Sequence, residues 1–202
     1  DIIDYHIGKG NMEVINMLNT KYFITGKPGA ETVQQNPNAN GPAWLVSNVS
    51  WAKNANEEMN MLTDFDSKNT VIIDERFKTN VGDVTTFSKA GNIEMTNFHP
   101  DKMEYASKTS VESFAVFSET WYKGNEDWKA YIDGVETEFV RVNYLQRGLK
   151  IPAGDHKIEF VYHPESHYTG VLISRVVSVI IILLGLFVLF KEFKNEEQEI
   201  IA

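Results

Sequence analysis

Residues 128–140 read WKAYIDGVETEFV, two partly alternating runs around Asp133-Gly134. An Asp-Gly pair tolerates positive φ at both positions, as a type I′ turn requires, so this stretch predicts a tight β-hairpin. Comparable runs lie on both sides of it. NIEMTNFH (92–99), KMEYASKT (102–109) and VESFAVFSETW (111–121) precede it, VETEFVRVN (135–143) forms its second arm, and RGLKIP (147–152) and HKIEFVYH (156–163) follow. Turn signals separate them, among them His99-Pro100-Asp101 and Pro152-Ala153-Gly154-Asp155. Short strands at this spacing predict a β-sandwich, with His156, Ile158, Phe160 and Tyr162 on one face of its last strand.

Beyond the last strand the chain changes solvent. Val171–Phe190, VLISRVVSVIIILLGLFVLF, holds Arg175 as its one charge. Twenty helical residues reach about 30 Å, the thickness of a bilayer hydrocarbon core. A membrane-spanning helix is therefore predicted over 168–190, with a tail at 191–202. Lys191 and Lys194 follow the apolar run and the approach to it has no Lys or Arg, which predicts a cytoplasmic tail and an extracytoplasmic main domain. Tyr168 marks the outer interface. Arg175 either snorkels back to that interface or faces other helices and pairs with an acid or a lipid phosphate.

Upstream of the strands the pattern is mixed. Met12–Leu18 has helical spacing, Tyr22–Thr25 reads as a short strand, and Lys27–Pro42 (KPGAETVQQNPNANGP) reads as an exposed loop. Ala43–Trp51 alternates like one strand, Asn54 or Asn56 caps a helix through Glu58, Met61 and Leu62, and Thr70–Ile73 is a buried strand. The predicted fold is mainly β with some α. A small α/β unit (1–75) precedes the extracytoplasmic sandwich (76–167) and the single membrane helix.

Composition narrows the function. The 202 residues are 43% hydrophobic and 12% aromatic, sufficient for a substantial core, and carry a net charge of −9. That acidic balance argues against nucleic acid as a partner. The absence of Cys excludes disulfides, zinc-thiolate sites and thiol catalysis. The sequence opens DIIDYHIGKG, without an initiator Met or a basic, apolar leader. Export of the domain would then depend on a removed signal peptide or on earlier helices of a longer protein.

The run from Phe114 to Ser174 resembles the end of the YfhO-type bacterial membrane proteins. The likeness rests on Ser118 with Trp121-Tyr122, then Trp128-Lys129-Ala130, the Asp133-Gly134 hairpin, Arg147-Gly148, Pro152-Ala153-Gly154 and a final apolar helix. Upstream, Asn19-Thr20-Lys21-Tyr22-Phe23-Ile24 and Ala43-Trp44-Leu45-Val46 resemble the family's earlier strands, so the likeness extends over nearly the whole chain. One departure is visible: the family usually has Pro-Gly-Trp, whereas Lys123-Gly124 is followed here by Asn125-Glu126-Asp127 before Trp128. The resemblance implies a polytopic protein of the GT-C-like glycosyltransferase class, using polyprenyl-phosphate sugars to modify cell-envelope acceptors. It also implies catalytic acids in loops between early membrane helices, a region outside this sequence, and an upstream transmembrane bundle as partner for the last helix.

Within the chain itself no nucleophile motif, phosphate loop or metal set stands out, and no cofactor is expected. Pro164 interrupts the spacing of His163 and His167, and the acid pairs Asp64/Asp66, Asp74/Glu75 and Glu126/Asp127 are most simply solvated. A binding role rests on Trp121, Tyr122, Trp128, Tyr131 and Tyr144 around the hairpin, since aromatic faces beside polar groups suit a sugar ring. The alternative reading is that these rings form core and cross-strand pairs. Trp128 and Tyr131 fall on opposite faces of one strand, so both cannot be core, and the loop Lys123–Asp127 is the neighbouring contact candidate. Arg141 and Arg147 would address a phosphate or a carboxylate, or else form surface ion pairs. Two functions follow: an accessory domain of a membrane glycosyltransferase contacting lipid-linked sugar or envelope glycan, or a singly anchored envelope carbohydrate-binding or scaffold protein.

Overall fold

The computed structural model describes residues 2–122 and 124–201. It divides into two units, residues 1–163 and 164–202. The first begins with helices α1 (Ile2–Gly8) and α2 (Met12–Met17), then strands β1 (Tyr22–Thr25), β2 (Thr32–Gln35), β3 (Ala43–Val46) and β4 (Asn48–Ala52). Helix α3 (Ala55–Met61), strand β5 (Thr70–Asp74), a 3₁₀ turn (Glu75–Phe77) and helix α4 (Lys78–Val81) lead to the strand-rich part. There follow β6 (Gly91–His99), β7 (Lys102–Thr109), β8 (Ser113–Thr120), β9 (Trp128–Ile132), β10 (Val135–Thr137), β11 (Val140–Val142), β12 (Gln146–Ile151) and β13 (Gly154–Tyr162). The second unit is helix α5 (Glu165–Ile201).

Local chemistry sets the helix starts. The Asn11 side chain accepts from the N–H groups of Glu13 and Val14 and caps α2. Asn54, rather than Asn56, caps α3 by accepting from Glu57 N, while Glu57 Oε2 accepts from Lys53 N at 2.8 Å. The hairpin at Asp133-Gly134 forms as its sequence requires, with φ of +51° and +81° and Val135 opposite Ile132.

Three sheets result among the described residues. Six strands lie in the order β3-β8-β12-β11-β5-β4, five in the order β10-β9-β13-β7-β6, and β1 pairs with β2 alone. Among the described strands only β4 and β5 pair in parallel, across α3 as a crossover. Strands from both sides of residue 75 thus share one sheet.

Successive residues of β8 face opposite cores. Phe114 and Val116 join Trp44, Val46, Ile73 and Val142 in a core that also takes Val14 and Met17 of α2 and Leu62 after α3. Ala115 and Phe117 join Leu45, Leu149 and Ile151 against Met103, Tyr105, Ile158 and Phe160 of the five-stranded sheet. This second core is the sandwich interior, where Phe117 and Phe160 meet with ring centroids 4.8 Å apart.

The structure corrects three expectations. Thr32–Gln35, within the stretch expected to be a loop, is strand β2, since its pairing with β1 depends on backbone bonds and hardly on hydrophobicity. Ala43–Trp51 is two strands at opposite edges of the six-stranded sheet, separated by Ser47. The sheet must therefore curl until its edges meet at that residue, where Ser47 N and Asn48 N both donate to Asn69 O at 2.9 Å. VETEFVRVN likewise changes sheets: β10 belongs to the five-stranded sheet and β11 to the six-stranded one, and fully buried Phe139 lies in the crossing segment.

Helix α5 is 37 residues long, and its first turn is tied by His167 N donating to Pro164 O at 3.0 Å. Among the described residues it holds one stretch long and apolar enough to cross a membrane, Glu165–Lys191, and none of that stretch's apolar window is buried. Its apolar side chains point all round the axis, which suits lipid and not water. Ser178 Oγ donates to Ser174 O at 2.8 Å, so that hydroxyl is satisfied within the helix.

Candidate functional site

The aromatic residues around the hairpin do not converge on one surface. Trp128 is buried in the sandwich core, its ring 5.2 Å from that of Tyr162. Trp121 is half-buried at the edge of the same core, 4.8 Å from Phe139. Gly124 lies against it so closely that an added Cβ would meet the indole ring at 2.7 Å. Tyr131 is half-buried on the other face of β9, as alternation requires, opposite Glu159 of β13. Tyr144 is half-buried in the β11–β12 turn, and Tyr122 is exposed. Lys123, in the loop expected to contact a ligand, lies outside the described residues.

Both arginines are inside the fold. Arg141 Nη2 pairs with fully buried Glu58 Oε2 at 2.6 Å and lies 4.0 Å from Asp74 Oδ2. Its Nη1 donates to Tyr144 O, and Tyr144 N donates to Glu58 Oε1 at 2.7 Å. Burial pushes the Glu58 carboxyl upward, and the guanidinium and the Tyr144 N–H pull it back. Arg147 has no carboxylate in salt-bridge range among the described residues. Its guanidinium lies over the Trp128 ring at 4.1 Å and near Phe160 at 5.2 Å, and its Nε donates to Thr120 O at 2.9 Å. Nη1 is buried without a partner, and burial pushes the group's pKa down to about 10. Neither arginine is placed to meet an outside anion without rearrangement.

Polar residues not foreseen from the sequence organise the rest. In the β11–β12 turn Asn143, at φ +48°, accepts from Ile72 N through Oδ1 and donates to Gln146 Oε1 through Nδ2. Gln146 Nε2 in turn donates to Met17 O at 2.6 Å, which ties α2 to β5 and β12. The outer face of the five-stranded sheet carries a charge ladder in which Lys102 and Lys157 flank Glu104 and Glu159. Those lysines hold the Glu104 carboxyl down to about 2. His156 Nδ1 meets Asp133 Oδ2 at 2.7 Å, which raises the imidazole pKa. An open groove of about 410 Å³ passes His156, Lys157, Asp155, Lys108, Ser107 and Glu94. The ladder follows from alternation in β7 and β13, but its pairings depend on register and could not be read from either strand alone.

Tyr168 and Arg175, expected at the membrane interface, are both exposed, Tyr168 near the start of α5 and Arg175 within its apolar stretch. Neither the curated proteins nor the solved structures contain a match to the chain. A family model does match, over residues 124–174, from the loop before β9 through β13 into α5; the upstream Asn19–Ile24 and Ala43–Val46 stretches lie outside that match. Apolar α5 and this match agree on membrane association. The family is described as bacterial membrane protein YfhO, and residues 124–174 of this chain are similar to it.

Proposed function

We propose that the chain is the extracytoplasmic C-terminal domain and last membrane helix of a YfhO-like protein, accessory to transfer of sugars from polyprenyl-phosphate donors to cell-envelope acceptors. The observation that carries this reading is the uncovered apolar stretch Glu165–Lys191, which overlaps the family match. Lys191 at its end and Lys194 beyond it support a cytoplasmic tail. The engagement of Arg141, Glu58 and Arg147 within the fold supports a holding role for this domain, with the chemistry elsewhere in the protein. Trp121 and Tyr144 pack against the cores, so half-buried Tyr131 and exposed Tyr122 are the aromatic faces left for a glycan.

Deleting the parent gene and comparing envelope glycans with those of the complemented strain tests the role. Loss of a sugar decoration, restored by the intact gene and not by a version lacking this domain, is expected; unchanged glycans would favour an envelope scaffold. Orientation is read separately. With no native Cys, a Val111→Cys variant should react in intact cells with a membrane-impermeant maleimide, and protection until lysis would reverse the topology.

A further inference from the structure

Helix α2 and two connections, one between β2 and β3 and one between α3 and β5, meet around a hollow of about 320 Å³. Glu13 and Asn16, on one face of α2, line it with Asn38 and Asn40 of the first connection and Asp66 and Lys68 of the second. Its volume is at the lower end of small-molecule sites, about 300–1,000 Å³. Fully buried Ser67 holds two of these side chains. Its N–H and Oγ both donate to Glu13 Oε2, at 2.9 and 2.6 Å, and its Oγ accepts from Asn40 Nδ2 at 3.1 Å. Trp44 Nε1 donates to Ser67 O at 3.0 Å and so ties this hub to the core that Trp44 shares with Met17 and Val46. Asn16 Oδ1 accepts from Asn36 Nδ2, and Asn16 O accepts from Asn40 N, each at 3.0 Å. Asn16 and Asn40 are only 5% and 9% exposed.

These bonds leave one atom on each of three lining residues without a partner among the described residues: Glu13 Oε1, Asn16 Nδ2 and Asn40 Oδ1. None of the three is sealed from solvent, so they open onto the hollow that their residues line. Nearly buried carboxamides are normally paired, and these are held rigidly with a free atom outward. The free set is mixed, two acceptors and one donor, with the Lys68 ammonium as a further donor. A metal ion would be opposed by Asn16 Nδ2 and Lys68, and an anion by Glu13 and Asp66. A hydroxyl donates to one group and accepts from another, so adjacent hydroxyls satisfy both kinds at once. We infer that this hollow binds one sugar ring through adjacent hydroxyls, which donate to Glu13 Oε1 and Asn40 Oδ1 and accept from Asn16 Nδ2. No aromatic residue is among its described lining, so recognition here is by hydrogen bonds and not by stacking on Tyr122 or Tyr131.

The inference deepens the sugar-transfer reading and rests on it for the supply of a sugar, and the test separates the two. Saturation-transfer NMR is run on the full chain in a non-glycosidic detergent, with the methyl glycosides of glucose, galactose and N-acetylglucosamine at millimolar concentration as probes. Glu13→Gln keeps an oxygen for Ser67 to donate to and turns the free acceptor into a donor. Asn16→Asp keeps Oδ1 for Asn36 and turns the free donor into an acceptor. Each should weaken binding of a probe by about tenfold or more, with the unfolding midpoint of Glu13→Gln unchanged, while Tyr122→Ala and Tyr131→Ala bind as the parent chain does. Loss of binding in the tyrosine variants and not in Glu13→Gln or Asn16→Asp would overturn the hollow and leave the sugar-transfer reading, with the glycan on the hairpin. Absence of binding to every probe by the parent chain would overturn the hollow as a sugar site, and the envelope-glycan comparison would still decide the transfer role. Uptake of calcium in place of every sugar would overturn it in favour of a cation site.

Discussion

Glu58 of α3 and Arg141 of β11, 83 positions apart in sequence, meet as an ion pair at 2.6 Å with the carboxylate fully buried. The pair ties the helix of the parallel βαβ unit to the strand beside β12. Tyr144 completes it from the adjacent turn by donating its N–H to the same carboxylate. Removing one member leaves the other charge buried without compensation, which costs far more than the pair itself contributes.

Glu58→Ala is therefore expected to destabilise the protein by about 3–5 kcal/mol. Denaturant unfolding of the detergent-solubilised chain measures this. A Glu58→Ala/Arg141→Met double variant should recover a large part of the loss, because neither charge then remains; equal instability of the single and double variants would show that packing and not charge is at stake.

Arg147 should respond in the opposite sense. Its guanidinium is buried among aromatic rings with Nη1 unpartnered, so Arg147→Met keeps the volume and removes the desolvation cost. Unchanged or higher stability, by about 1 kcal/mol, is expected from the same unfolding measurement. A loss above about 2 kcal/mol would mean that the stacking on Trp128 outweighs burial of the charge.

Two glycines of the matched region answer to close approach. A Cβ on Gly148 would lie 2.6 Å from Val142 Cγ1 and 2.7 Å from the Phe114 ring. On Gly124 it would meet the Trp121 indole at 2.7 Å. Gly148→Ala and Gly124→Ala should each cost about 1–3 kcal/mol through overpacking, and for Gly124→Ala the loss should accompany a change in tryptophan emission. Unaltered stability in Gly148→Ala would show that β12 can move away from Phe114.

The His156–Asp133 contact sets a pH dependence. The imidazole pKa is raised in the fold, chiefly by its hydrogen bond to Asp133. Its contribution is therefore fully present below the unfolded histidine pKa of about 6.5 and is lost as pH rises through the folded value. Asp133 is shifted the other way, downward, so its contribution fades at acid pH as the carboxylate takes up a proton. Thermal unfolding should show a fall in Tm on the alkaline side of this window that is absent in His156→Gln; identical profiles would remove the contact as its source.

What the sequence by itself determined is what short-range physics controls. Asp133-Gly134 carries the positive φ values of its turn locally, β9 and β13 show their inward and outward residues by alternation, and the length of the apolar run identifies α5 as a possible span. Only the tertiary structure decided how those pieces join. The burial of both faces of β3 and β8 erases the alternation that would reveal strand ends, so Ser47 as a corner and Phe139 as a crossing between sheets depend on distant partners. The same holds for the candidate site. Trp121 and Trp128 look alike to Tyr122 and Tyr131 in sequence, and Arg141 and Arg147 look like surface cations. Their fates were set by which strands cover them, because burial and ion pairing are properties of long-range contacts and not of residue type.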